Sequence, residues 1–169
     1  MIENRLEGVH VRAFGNTSGR GVLRKVETIA VDPAHNRLLV AEEDESIRDI
    51  KMDSLDGRFT GQVIGDDLFR HEPEGLALYA CGDEGYWVAT DQHPDENVFH
   101  VLDRRSLALR GSFRGTVTRQ TDGIALTRGT LGPLAGGALY AAHADAHVSA
   151  YAWEAIAGEL GLKQEHCAR

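Results

Sequence analysis

The 169-residue sequence predicts an all-β fold made of three tandem four-stranded units. Two observations carry that prediction: a short motif recurs at steps of 47 and 48 residues, and the same series of strand-like stretches follows each copy. The motif reads Val26-Glu27-Thr28-Ile29-Ala30-Val31, then Pro73-Glu74-Gly75-Leu76-Ala77-Leu78, then Thr121-Asp122-Gly123-Ile124-Ala125-Leu126. In each copy an acid is followed by a small or β-branched residue, an aliphatic, Ala and a second aliphatic. Self-similarity at this period is the mark of β-units that stack on one another.

The elements of each unit follow in order. A second apolar stretch appears at residues 38–41, 86–89 and 138–141. Turn formers separate it from the first: Asp32 to Asn36 with Pro33 between, Gly82 to Gly85, and Gly132-Pro133 with Gly136-Gly137. A third stretch alternates apolar and polar at residues 47–50, 98–102 and 148–153, and a fourth appears at 62–64 and 107–113. Strands at this spacing, with Gly-rich turns and almost no helical period, imply one β-meander per repeat. The repeats run over about 22–68, 69–116 and 117–158 within a single domain spanning 1–169.

The ends differ from the middle. Repeat three has no fourth strand after Trp153, and residues 154–160 read as a short helix. Conversely, Val9-His10-Val11-Arg12-Ala13-Phe14 is a strand pattern without a partner, suited to be the fourth strand of a neighbouring unit. Rings of four-stranded sheets typically hold four to eight of them, so three do not close one. The expected architecture is half of a six-bladed β-propeller, three blades and a short C-terminal helix. The bare faces and edges it leaves imply a homodimer of three plus three blades, or a chain whose other half is missing.

Composition narrows the function. Hydrophobic residues are 42% and charged residues 26%, a globular balance. No apolar run is long enough to span a membrane, so no membrane partner is expected. The formal net charge of −8 argues against a nucleic-acid partner and favours cations. Met1-Ile2-Glu3-Asn4-Arg5 is polar, with no signal-peptide core, which leaves the compartment unassigned. Cys81 and Cys167 lie far apart without metal-ligand spacing, and free thiols are expected at both.

If the first strand of each unit lines a common axis, Glu27, Glu74 and Asp122 converge there. Neighbouring strands add Glu42-Glu43-Asp44, Thr90-Asp91-Gln92 and His143-Ala144-Asp145. Glu72 stands two residues before Glu74, and strand alternation puts both on one side. So many hard oxygen donors suit Ca²⁺, and the lack of thiols disfavours zinc. The competing reading is that such acids are solvated, or bond backbone amides where strands begin. Trp87 and Trp153 read as core. Gly75 and Gly123 read as permitting tight backbone at a strand start. There is no Gly-x-Ser-x-Gly nucleophile motif.

The sequence resembles the β-propeller phytases from about residue 11 to 158. The likeness is carried by Phe14-Gly15 with Ser18-Gly19, residues 26–32, 41–48 and 72–79, Gly85-Tyr86 with Ala89-Thr90-Asp91-Gln92, Thr121-Asp122-Gly123-Ile124, Leu131-Gly132-Pro133, and residues 153–158. The resemblance implies a six-bladed propeller that hydrolyses phytate, with Ca²⁺ ions activating water and screening substrate phosphates. It implies metal positions at Glu27, Glu43, Glu72, Glu74 and Asp122, with Glu74 and Asp122 closest to catalysis. Gln92 matches a polar site position, and Arg48, with Arg70 and Arg119, is a candidate phosphate partner. The chain also departs from the family. The half with an Asp-Ala-x-Asp-Asp-Pro type motif is absent, Thr28 replaces a small residue, Glu72 replaces an Asp, and lysines are only Lys25, Lys51 and Lys163. The expected function is a calcium-dependent phosphomonoesterase acting on phytate or a similar phosphate ester. The alternatives are a non-catalytic binding or assembly module on the same half-propeller, and a hydrolase of another phosphorylated or lactone substrate.

Overall fold

The structure, a computed structural model, describes residues 8–130 and 132–163. These residues form eleven strands in three antiparallel sheets, with one short helix. The first sheet contains β1 (Val26–Asp32), β2 (Arg37–Glu42), β3 (Asp49–Asp53) and β4 (Phe59–Ile64), paired in chain order. The second contains β5 (Glu72–Cys81), β6 (Glu84–Gln92), β7 (Asn97–Asp103) and β8 (Leu109–Arg114), again in chain order. The third has only three strands: β9 (Ile124–Thr127), β10 (Ala138–His143) and β11 (His147–Ala152). After β11 the chain turns into α1 (Trp153–Glu159), so Trp153 begins the helix instead of ending a strand.

Local chemistry fixes these boundaries. Between β1 and β2, Pro33 starts a single 3₁₀ turn, and Asn36 ends it in the left-handed region at φ 51°. Asn tolerates that conformation better than other side-chain-bearing residues. The β5–β6 hairpin closes through Gly82-Asp83, with Gly82 at φ 58°. Glycine takes this conformation without a Cβ penalty.

The second sheet lies between the other two and is covered on both faces. Toward the first sheet, Trp87, Ala89 and Leu102 pack with Leu39, Ala41, Ile50 and Ile64. Toward the third sheet, Tyr79, Val88, Phe99 and Val101 pack with Leu139, Ala141 and the helix residues Trp153 and Ile156. Double coverage explains why β6 is buried almost throughout, where a sheet with one wet face would alternate. Trp87 and Trp153 are both fully buried, as the sequence implied. The Tyr79 ring stacks on Trp153 at 4.2 Å between centroids.

A buried ion pair joins the first and second sheets. Asp32, at the end of β1, accepts from Arg104 Nη2 at 2.7 Å and Nε at 3.1 Å. Arg104 Nη1 also donates to the carbonyls of Gly82 and Glu84, and His35 Nδ1 lies 2.9 Å from Asp32. Burial alone would raise the Asp32 carboxyl; Arg104 and His35 outweigh it and hold it below its ordinary value.

One segment is left without a strand partner among the described residues, and one expectation changes. Residues 9–14 form no strand with any described part of the chain, and Val9 and Val11 are 87% and 88% exposed. Cys81 is buried and disulfide-bonded, not a free thiol. Cys167 lies outside the described residues.

Candidate functional site

The three first strands lie side by side, β1 against β5 and β5 against β9. This brings the recurrent acids to one end of the molecule. What aims them is a backbone irregularity shared by β1 and β5. In the β1–β2 ladder, Val26 opposes Glu42 and Ile29 opposes Val40, so β1 carries one extra residue across that interval. In the β5–β6 ladder, Pro73 opposes Asp91 and Leu76 opposes Ala89, and β5 carries the same extra residue. Glu27 and Glu74 sit inside these two bulges. Bulges break strict alternation and re-aim side chains beside functional sites.

The result is a three-carboxylate cluster. One oxygen each from Glu27, Glu43 and Glu74 lies within 4.8 Å of the other two. Glu43 and Glu74 are buried, while Glu27 is exposed, so the cluster opens to solvent on one side. Burial, the Glu27 charge, a hydrogen bond with Glu43 and the more distant Asp122 push Glu74 up to about 8. Like charges in a partly desolvated site resist simultaneous ionisation. Lys25 Nζ gives partial compensation, 2.6 Å from Glu43 Oε1, and that hydrogen bond raises the lysine. Three acids against one exposed lysine leave an excess of negative charge that a proton offsets and that a cation could offset in its place. The donors are all hard oxygens, which fits Ca²⁺ or Mg²⁺ and not a thiophilic metal.

Gly75 permits this geometry. A Cβ there would stand 2.9 Å from Ile124 Cγ1 and 3.2 Å from the Ile124 backbone nitrogen. The Gly75 N–H donates to the buried Thr90 hydroxyl at 2.7 Å. The residue next to Glu74 is therefore small because β9 approaches closely. Gly123 has open space around its missing Cβ, and no such constraint applies there.

The other expected site residues lie around the cluster. Glu72 is half-buried at the start of β5 and is not one of the three clustered acids. Asp122 lies just before β9 and accepts a hydrogen bond from Gln92 Nε2. Arg48 serves the scaffold. Its backbone is at φ 47°, and its Nη1 donates to the Arg70 carbonyl at 2.9 Å, tying the β2–β3 connection to the approach of β5.

Some recurrent acids serve the backbone. Glu42 accepts from the amides of Arg24 and Lys25, each at 2.6 Å, just before β1. Asp91 does the same for Arg70 and His71, at 3.0 and 2.8 Å, just before β5. In the third repeat His143 Nδ1 takes the equivalent place, 3.2 Å from the Arg119 amide. Burial opposes ionisation of Asp91, but His100 and the two amides hold its carboxyl below the ordinary value. The sequence signal for this role is an acid at the end of the second strand of a repeat.

The repeated sheets, the acids carried into one cluster and the matching bulges agree with a comparison against protein-family models. The Phytase model matches residues 3–148, most of the sequence, and the chain belongs to the phytase family.

Proposed function

We propose that this protein is a calcium-dependent phosphomonoesterase of the phytase type, releasing phosphate from phytate or a similar phosphate ester. The observation that carries the reading is the Glu27–Glu43–Glu74 cluster, its oxygens within 4.8 Å, in a chain of the phytase family. Bound Ca²⁺ would supply electrostatic screening of substrate phosphates and a lowered water pKa. In this reading Glu27, Glu43 and Glu74 hold the ion, with Glu72 and Asp122 in position to add oxygens from the approach to β5 and β9. Gln92, bonded to Asp122, orients that carboxylate. The three sheets are read as half of a six-bladed β-propeller, with the remaining sheets completing the site.

A second reading is favoured by a different observation: a half-propeller binding module without catalysis. Arg48 Nη1 donates to a backbone carbonyl and Lys25 pairs with Glu43, so part of a sparse basic complement is already engaged within the chain.

Phosphate release from phytate separates the two. The purified chain is assayed with calcium, then with excess chelator, alongside Glu74→Ala. Release that vanishes with the chelator and in the variant supports the enzyme. No release from the parent chain under either condition overturns it in favour of the module.

A further inference from the structure

We propose that two copies of this chain close the ring by exchanging N-terminal strands: residues 9–14 of each copy pair with the open edge of β11 in the other. The proposal rests on the half-propeller reading above and names the partner that completes it.

Three features lead there. First, among the described residues the third sheet is one strand short, and β11 pairs only with β10. Its other edge is the place that β4 and β8 fill in the first and second sheets. Second, the chain order of the other connections shows what should fill it. The outermost strand β4 leads directly into the innermost strand β5, and β8 leads into β9. Residues 9–14 stand in the same relation to β1, at the place in sequence where a preceding sheet would have its outermost strand. They number six, as many as β11, and Val9, Val11 and Ala13 alternate with His10, Arg12 and Phe14.

Third, the segment is held ready on its own subunit and cannot serve it. Phe14 sits against Gly57 and Arg12 Nη2 reaches the Leu55 carbonyl, both in the β3–β4 turn of the first sheet. From that root Val9 and Val11 extend into solvent. Its own β11 lies beyond the second sheet, about 20 Å away at the usual sheet spacing of ~10 Å. A second copy removes the difficulty. If its third sheet packs on the outer face of this first sheet, where Ile29 and Val31 are 56% and 50% exposed, its β11 edge comes beside the segment. Val148, 71% exposed on the third sheet, is then covered in turn. Two-fold symmetry makes the exchange reciprocal and closes six sheets.

The test uses the full chain in calcium buffer, with sedimentation equilibrium for assembly and hydrogen exchange for β11. Val11→Pro removes a ladder donor from the segment, and because Val11 touches no strand of its own subunit the variant folds normally. Ile29→Asp attacks the sheet face and leaves the segment intact. The expected result is a dimer with protected β11 amides. Val11→Pro weakens it at least tenfold and strips that protection, and Ile29→Asp also dissociates it. A dimer that Ile29→Asp breaks, but whose affinity and β11 exchange ignore Val11→Pro, overturns the strand exchange and leaves the half-propeller reading standing. A monomeric parent chain, or a dimer indifferent to both variants, overturns the pairing of two copies. Phytate hydrolysis, measured separately, bears on the activity alone.

Discussion

Replacing Glu74 with Gln should stabilise the metal-free protein, although it alters a buried residue. In the cluster each pair of carboxylate oxygens is at most 4.8 Å apart, so two full charges repel by about 3.5 kcal/mol at an effective dielectric of 20. The shift of Glu74 from 4.5 to about 8 corresponds, at about 1.4 kcal/mol per unit, to a penalty on the order of 5 kcal/mol for ionising it in the fold. Exposure of Glu27 screens part of this, leaving a penalty of a few kcal/mol. The sign follows from linkage. The folded-state value is raised, so the stability of the neutral form is fully present below about 4.5 and is lost as pH rises through about 8. Glutamine keeps the shape and stays neutral. In chelator at pH 9, Glu74→Gln should unfold at higher urea than the parent, by about 2–4 kcal/mol. At pH 4 the two should coincide. Trp87 and Trp153, both fully buried, report unfolding by fluorescence. A variant less stable than its parent at pH 9, or a gap independent of pH, would refute the cluster electrostatics.

The remaining predictions concern metal, seam, glycine and cap. Calcium at 100 times its dissociation constant should stabilise the parent by about 2.7 kcal/mol, read as a rise in Tm that Glu74→Gln abolishes. Arg104→Met should cost about 3–5 kcal/mol in urea unfolding, because it leaves Asp32 charged and fully buried; unchanged stability would remove the ion pair from the account. Gly75→Ala should cost about 1–3 kcal/mol by pushing β9 away, and calcium titration should show weaker binding as Glu74 shifts with it. Glu42→Ala strands the Arg24 and Lys25 amides and should cost about 1–3 kcal/mol, with a loss of exchange protection at those two positions.

Much of the strand order was readable because apolar stretches and turn residues recur in register with the repeat. The residues of the acid cluster were readable for the same reason. Their aim was not. A bulge is defined by counting residues on two paired strands at once, so single-strand alternation could not show that Glu27 and Glu74 each sit inside one. The division of labour among the acids was equally hidden: Glu42 and Glu43 are adjacent, yet one caps two amides and the other joins the cluster. The charge of Arg48 was visible in the sequence and its bond to the Arg70 carbonyl was not. Cys81 looked free because two cysteines distant in sequence carry no spacing signal.

The Asp32–Arg104 pair has a mechanical consequence. Sliding the first sheet against the second would pull a carboxylate and a guanidinium apart where no water can replace either, so that seam behaves as a lock. The seam between the second and third sheets is built mainly of rings and aliphatics, with Tyr79 against Trp153 and Phe99 against Tyr151, and a few hydrogen bonds such as that from the Tyr79 hydroxyl to the Gly136 carbonyl. Packed apolar surfaces can shear in small steps, trading one set of contacts for another of similar depth. Any adjustment between the sheets should therefore be taken up by the third sheet and its helix, while the first two sheets travel as one rigid block.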